Sequence, residues 1–312
     1  MIVNINESPR IKQNSWKAIV KGARLETLPG AAVPVIIAIA LAAGDMYRTG
    51  NIGNFQIIPA ILCFLFAEIM QINANYINDY FDFKGGHDSA ARQGNDRVAT
   101  KGWMTMPFMK KVILGTNIIA AAVGMPIMLF GDWFKLLCVG GVCMIFSLLY
   151  TTLFSKKALG DVLVLLFFGI VPVCVTYYIL TGTCNWHVFV ASLACGFEID
   201  SMLVINNFRD HDEDLQTGKH TLSHILGRKR MLQFYLAIGF ICAALGYYCY
   251  KMNGYSMAFN LPIIYLLVHM RIYNTMKAIW QGPELNKQLA ANGKNILLYG
   301  LLIAGGILIT FI

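Results

Sequence analysis

Apolar runs long enough to cross a bilayer recur from one end of this chain to the other. No other feature limits its possible folds so strongly. The hydrocarbon core of a membrane is spanned by about 20 predominantly apolar residues in helical form. We place nine such spans, at approximately 29–45, 55–79, 111–130, 133–151, 160–182, 186–208, 231–251, 255–273 and 294–312. Composition agrees: of 312 residues, 57% are hydrophobic and 13% charged, whereas soluble domains carry about 25% charged residues. The expectation is an all-α, polytopic membrane protein, with its helices around a central cytosol-facing cavity. No linker or low-complexity tract divides it, so residues 1–312 read as a single intramembrane domain. The segment 1–28 is polar and basic and shows no apolar stretch of a cleavable signal peptide.

The formal charge of +8 is a record of topology rather than of nucleic-acid binding. With the N-terminus inside, only Arg48, Lys135 and Lys251 fall on the outer side, and every other Lys and Arg lies in an inner segment. The excess of cytoplasmic basic residues then sets the orientation, with the N-terminus cytoplasmic and the C-terminus outside. The eight cysteines sit in or beside apolar segments without CxxC spacing, which reads as inert thiols rather than disulfides or a metal centre.

Two spans end in acids on the inner side. The second closes with NANYINDYFDF and runs into KGGHD; the sixth closes with VINNFRDHDED. Glu68, Gln71, Asn75, Asn78 with Asp79, and Asp82 recur at spacings of three or four, as residues on one helix face do. Asp200, Asn207, Asp210 and Asp214 form a second stripe. Polar stripes on membrane helices face the bundle interior or a cavity, because charge in hydrocarbon is costly. The shared Asn lead-in, at Asn78 and Asn206, hints at an internal duplication.

Carboxylate and amide oxygens are hard ligands, and magnesium pairs one or two of them with substrate phosphates. Two acidic patches on one cavity therefore suggest two Mg²⁺ ions holding a diphosphate. Lys84, Arg97 and Lys101 follow the first patch, Arg209 and Lys219 surround the second, and all are suited to neutralising a departing pyrophosphate. A solvated loop explains either acidic patch alone less well once both are considered. Ion or proton transport predicts carboxylates at mid-bilayer and at both faces, whereas here only Glu68, Glu198 and Asp200 lie deeper.

At these residues the chain resembles the UbiA superfamily of intramembrane aromatic prenyltransferases, whose signatures are an NDxxDxxxD-type and a DxxxD motif. NYINDYFDFKGGHD and NNFRDHDEDLQTGKHTL are most similar to the branch that prenylates 1,4-dihydroxy-2-naphthoate in menaquinone synthesis. TLPGAAVP, LGDVLVLLFFGIVPV and ELNKQLAANGK extend the resemblance over most of the chain. It implies that Asn78, Asp82 and Asp88 hold one Mg²⁺ with Asp79 assisting, and that Asn207, Asp210 and Asp214 hold the other. It also implies substrate contacts from Arg24, Asn75, Lys84, Arg97, Lys101, Tyr150, Arg209 and Lys219. Asp79, Asp82, Asp210 and Asp214 would be the catalytic acids. Asp88 stands two positions beyond the usual acid, the 151–158 loop lacks the usual glycine–proline character, and Asp161 replaces a common glutamate.

The implied reaction joins a polyprenyl diphosphate to dihydroxynaphthoate, with loss of diphosphate and CO₂, in the cytoplasmic membrane. Another acceptor of the superfamily, such as 4-hydroxybenzoate, is the alternative. His87, His211 and His220 flank the motifs, as proton shuttles or, more commonly for loop histidines, as bystanders.

Overall fold

The computed structural model describes residues 11–86, 96–149, 158–216, 218 and 220–312. Its regular elements are all helical: α1 (Trp16–Ala23), α2 (Pro29–Arg48), α3 (Ile57–Lys84), α4 (Met106–Ile127), α5 (Trp133–Leu149) and α6 (Gly160–Thr181) come first. They are followed by α7 (Trp186–Arg209), α8 (His211–Gln216), α9 (Leu222–Leu226), α10 (Arg228–Lys251), α11 (Ser256–Asn260), α12 (Ile263–Ile279) and α13 (Leu285–Leu308).

Among the described residues, seven helices are long and apolar enough to cross a membrane, and α5 adds a shorter apolar one. Helix covers eight of the nine expected segments among the described residues, with shifted ends. The span expected at 255–273 is broken: α11 stops at Asn260, and α12 begins only after Pro262. Proline has no N–H to continue a helix but is tolerated at its start. Other helices outrun their apolar runs. α3 continues through the first acidic motif to Lys84, and α13 begins at Leu285, taking in the polar NKQLAANGK stretch. A helix pairs its own backbone, so it need not stop where hydrocarbon does.

The core forms where α2 packs against α13, α6, α3 and α7. Thirteen α2 residues are buried, most of them Ala, Val, Ile or Gly. Small residues let backbones approach, the main source of packing energy between membrane helices. At the crossing of α6 and α7, a Cβ on Gly169 would lie 2.6 Å from the Ser192 carbonyl oxygen and 2.7 Å from Gly196 Cα. Only glycine fits that contact. The pairing of α3 with α4 is polar as well: Asn73 Nδ2 donates to Asn117 Oδ1 at 3.1 Å, and Thr116 Oγ1 donates to Asn73 Oδ1 at 2.7 Å.

All eight cysteines are free, as expected, although Cys138 and Cys184 are exposed rather than buried.

Candidate functional site

The first acidic motif occupies the last turns of α3, and an arginine pair defines it. α1 begins at Ser15, whose hydroxyl caps the Ala18 N–H, and ends at Arg24 in left-handed conformation (φ 49°). That turn directs the Arg24 guanidinium to Asp79, with which it forms an ion pair. Asp79 is fully buried and accepts two more hydrogen bonds, from Arg97 Nη1 at 2.6 Å and the Val98 N–H at 3.1 Å. Arg97 also reaches Asp82, its Nη2 lying 3.4 Å from Oδ2.

Asn75 and Gln71, one and two turns deeper, both donate to Thr27 Oγ1 at 2.9 Å, and Asn75 donates also to the Ala23 carbonyl at 2.9 Å. The expected polar face of α3 therefore exists, and its deeper part braces the short 3₁₀ turn Leu25–Thr27. Asn78 is half-buried, whereas Lys84 is exposed. Lys101 is also exposed and pairs with Asp96 at 3.0 Å. Asp88, with His87, lies outside the described residues, as do Tyr150 and Lys219.

The second motif is built on the end of α7. Arg209 forks onto Asp210, with Nε to Oδ1 at 2.6 Å and Nη2 to Oδ2 at 2.7 Å, and Nη1 donates to Asn286 Oδ1 of α13 at 2.7 Å. Parallel N–H···O bonds of this kind are strong and orient both partners. The Asp210 N–H donates to the Asn206 carbonyl at 2.9 Å, and the Asp214 N–H donates to the Asp210 carbonyl at 2.8 Å, so both aspartates lie on one helical turn. Asn207, Asp210 and Asp214 are all buried.

Two histidines brace the segment behind that turn. His224 Nε2 bonds the His211 carbonyl oxygen at 2.7 Å, while His211 Nδ1 meets Ser223 Oγ at 3.1 Å. Desolvation, then the charges of His224 and Arg228, lower the His211 pKa from its ordinary 6.5. His211 thus holds a loop together, which accords with a non-catalytic reading.

The two motifs sit at one end of the bundle. α3 and α7 do not pack extensively on each other; α2 packs on both. The segment following Arg24 bridges them. A Cβ on Gly293 of α13 would lie 3.6 Å from the Glu26 carbonyl oxygen and 3.9 Å from the Met202 methyl of α7. Asn286, on the same helix as Gly293, holds Arg209.

The oxygen donors are hard ones, suited to magnesium. Among the described residues, no three His, Cys, Asp or Glu side chains gather as a metal cage. Magnesium commonly takes one or two protein carboxylates and completes its shell from water and phosphate. Asp79 and Asp210 both have their two oxygens engaged, Asp79 by arginines and a backbone N–H and Asp210 by the Arg209 fork, so each exchanges an arginine contact on taking up a metal ion.

The sequence pattern of the UbiA prenyltransferase family matches residues 31–281. The chain belongs to that family. Its UbiA relatives include the 1,4-dihydroxy-2-naphthoate octaprenyltransferase of Escherichia coli (strain K12), 30% identical over 240 residues, or 73% of this chain and 76% of that protein. The protein of the same name from Haemophilus influenzae is 28% identical over 302 residues, covering 91% and 95% of the two chains. The UbiA fold recurs in the apo UbiA homolog from Aeropyrum pernix K1, with TM-score 0.66 at 15% identity over 92% of this chain and 98% of that one. It recurs too in the Archaeoglobus fulgidus homolog bound to DMAPP and Mg²⁺, with TM-score 0.61 at 13% identity over 92% and 99%. The chain is a multi-pass aromatic prenyltransferase of the UbiA type.

Sequence reasoning missed two supports of this UbiA site, Thr27 and Asn286. Both lie in stretches, TLPGAAVP and ELNKQLAANGK, that carried the family resemblance. The stretch was the available signal; the partner was not legible.

Proposed function

We propose that the chain transfers a polyprenyl group from a polyprenyl diphosphate to 1,4-dihydroxy-2-naphthoate, releasing diphosphate and CO₂ on the way to menaquinone. The observation behind this reading is the pair of acidic helix ends, each carrying an arginine, tied together through the 24–30 segment and α13. The named acceptor of the E. coli and H. influenzae relatives supports the choice of ring.

Asn78 and Asp82 are the first ligand set, with Asp88 completing it; Asn207, Asp210 and Asp214 are the second. Bound magnesium would supply Lewis-acid neutralisation of the diphosphate oxygens. Arg97 lies between Asp79 and Asp82, so an arriving diphosphate competes with the weaker 3.4 Å contact to Asp82 while Asp79 keeps the guanidinium in place. Arg209 is preset in the same way by Asp210 and Asn286. Fixed cations of this kind stabilise charge on the leaving oxygens with little reorganisation. Arg24 contributes through Asp79, and Asn75 by holding the turn that presents Arg24. Lys84, Lys101, Tyr150 and Lys219 complete the substrate contacts.

Apolar walls keep water from quenching the allylic cation before the electron-rich ring attacks it. The isoprenoid tail extends into the membrane, gaining about 0.8 kcal/mol per CH₂ buried. Nine membrane crossings, a cytoplasmic N-terminus and cytosol-facing cavity, and an outer C-terminus in the cytoplasmic (inner) membrane complete the reading.

The test is to incubate purified protein with Mg²⁺, a polyprenyl diphosphate and either dihydroxynaphthoate or 4-hydroxybenzoate. Prenylation of dihydroxynaphthoate is expected. Turnover of 4-hydroxybenzoate alone would overturn the acceptor assignment.

A further inference from the structure

The outer surface of α12 and α13 changes character part-way along both helices. Tyr265, His269, Ile272 and Met276 are the buried residues of α12, so the opposite side of that helix faces out of the bundle. Along this outer side Ile264 and Leu267 are exposed, at 52% and 59%. Arg271, Asn274 and Lys277 then take their place, all exposed as well. α13 shows the same order in reverse: exposed Lys287 and Lys294 come first, and exposed Leu301 and Leu308 follow. The cationic halves lie at the end of the bundle that carries the acidic motifs. Trp280, just after α12, packs edge-on against Phe208, and Asn286 of α13 holds Arg209.

The two changes fall at one level. The Tyr265 and Tyr299 rings pack with centroids 4.9 Å apart, and Asn295 Nδ2 donates to the Tyr265 carbonyl oxygen at 3.3 Å, which fixes the register of this antiparallel pair. Arg271 stands six residues from Tyr265, and Lys294 five residues from Tyr299, both toward the acidic-motif end. At 1.5 Å per residue those offsets are about 9 and 8 Å. No aspartate or glutamate occurs within Ile263–Ile279 or Leu285–Leu308; Glu284 is the N-cap of α13. Among the described residues Arg271, Lys277, Lys287 and Lys294 have no ion-pair partner, whereas Lys101 pairs with Asp96 and Lys135 with Asp132.

Exposed apolar side chains of a membrane helix meet acyl chains, and long cations beside them reach for the headgroups. The boundary below Arg271 and Lys294 therefore marks the level of lipid phosphate. Lys277 and Lys287 lie about 9–10 Å further out, near the aqueous edge of a headgroup layer about 5–8 Å thick. An occupant that suits this band is anionic where it meets the cations and apolar where it meets Leu267 and Leu301. Free phosphate meets only the first requirement. A zwitterionic headgroup brings a cation of its own into an already cationic band.

We propose that the outer face of α12 and α13 binds the headgroup of an anionic phospholipid, with Arg271 and Lys294 on its phosphate. The Arg271 guanidinium offers the planar fork that matches phosphate oxygens, while Lys277 and Lys287 add attraction from the aqueous side. The lipid thus docks on the helix whose Asn286 supports the second motif through Arg209. Neither the acceptor ring nor the reaction enters this reasoning.

The experiment uses full-length protein in neutral detergent, titrated with dioleoyl phosphatidylglycerol or dioleoyl phosphatidylcholine. The thermal unfolding midpoint reports the half-saturating lipid fraction. Wild type should show a saturable rise with phosphatidylglycerol and at least a tenfold weaker response to phosphatidylcholine. Removing two cations at a membrane surface weakens binding about tenfold to thirtyfold. Arg271→Gln combined with Lys294→Gln should therefore need at least ten times more phosphatidylglycerol. Both side chains are exposed and unpaired, so the midpoint without lipid should match wild type. The charge-preserving pair Arg271→Lys and Lys294→Arg should stay within threefold. Lys17→Gln with Lys21→Gln removes the same charge from exposed positions of α1 and should stay within twofold. Equal weakening in that α1 variant would reduce the effect to net charge and overturn the proposal, as would phosphatidylcholine acting as well as phosphatidylglycerol. Inorganic phosphate replaces lipid in a parallel titration. A rise with phosphate that disappears in the Arg271→Gln, Lys294→Gln variant would assign the site to a free anion and overturn the lipid reading.

Discussion

Asp79 is the residue at which the acidic-motif pattern and the structure suggest different roles, and replacing it separates them. Its carboxylate, with a side chain 1% exposed, holds Arg24 and Arg97, whose side chains are 14% and 10% exposed. It also accepts the Val98 N–H. Removing one member of such a buried ion pair leaves charge uncompensated and costs about 3–5 kcal/mol. At 1.4 kcal/mol per factor of ten, the closed arrangement of α1, α3 and the 97–98 turn loses about two to three and a half orders of magnitude in population. Asp79→Ala should therefore lower the midpoint of thermal unfolding in detergent and raise the KM for polyprenyl diphosphate, because Arg97 is no longer held. The Mg²⁺ concentration giving half-maximal residual activity should stay within twofold of wild type. Asp79→Asn, which retains one acceptor oxygen, should fall between. A tenfold shift in Mg²⁺ requirement with unchanged thermal stability would refute the reasoning and make Asp79 a metal ligand.

Asp82→Ala and Asp210→Ala should abolish turnover while the proteins still insert, with Asp210→Ala also lowering the unfolding midpoint because it leaves the buried Arg209 unpaired; near-normal rates in either would contradict their assigned roles. Chelation with EDTA should stop prenyl transfer and added Mg²⁺ restore it, so undiminished turnover in EDTA would exclude the divalent-ion reading. Gly169→Ala forces a Cβ to within 2.6 Å of the Ser192 carbonyl oxygen and 2.7 Å of Gly196 Cα. Overpacking of this kind costs about 1–3 kcal/mol, which thermal unfolding should register; an unchanged midpoint would show that α6 and α7 separate freely. His211, whose folded pKa lies below the ordinary 6.5 because of desolvation, His224 and Arg228, favours folding above the unfolded value. That contribution is lost as pH falls through 6.5 toward the folded value, so proteolysis within 211–226 should accelerate across this window in wild type but not in His211→Gln.

What sequence alone determined here follows from local physics. An apolar run of about 20 residues can bury itself in hydrocarbon only as a paired backbone, so the helices were legible before any coordinates. Spacing of three and four placed Glu68 to Asp82 on one face because helix geometry is fixed. The motifs NDYFD and NNFRDHDED, being contiguous, announced the two acidic helix ends and the family.

Tertiary structure decided the pairings. Nothing near Asp79 in sequence says that Arg24, on another helix, will meet it through a left-handed turn. Nor does the stretch around Asn286 reveal that its amide will hold Arg209. Span ends shifted for local reasons: Pro262 delayed α12, while α3 and α13 ran on past their apolar limits because helix hydrogen bonding does not depend on lipid. The least legible feature was a cavity between α6, α7 and α10. Asp161 and Asp200 are far apart in the chain and ordinary in isolation; only packing brings both to the border of one space. Contacts between distant segments are set by shape and volume, which no single stretch of residues encodes.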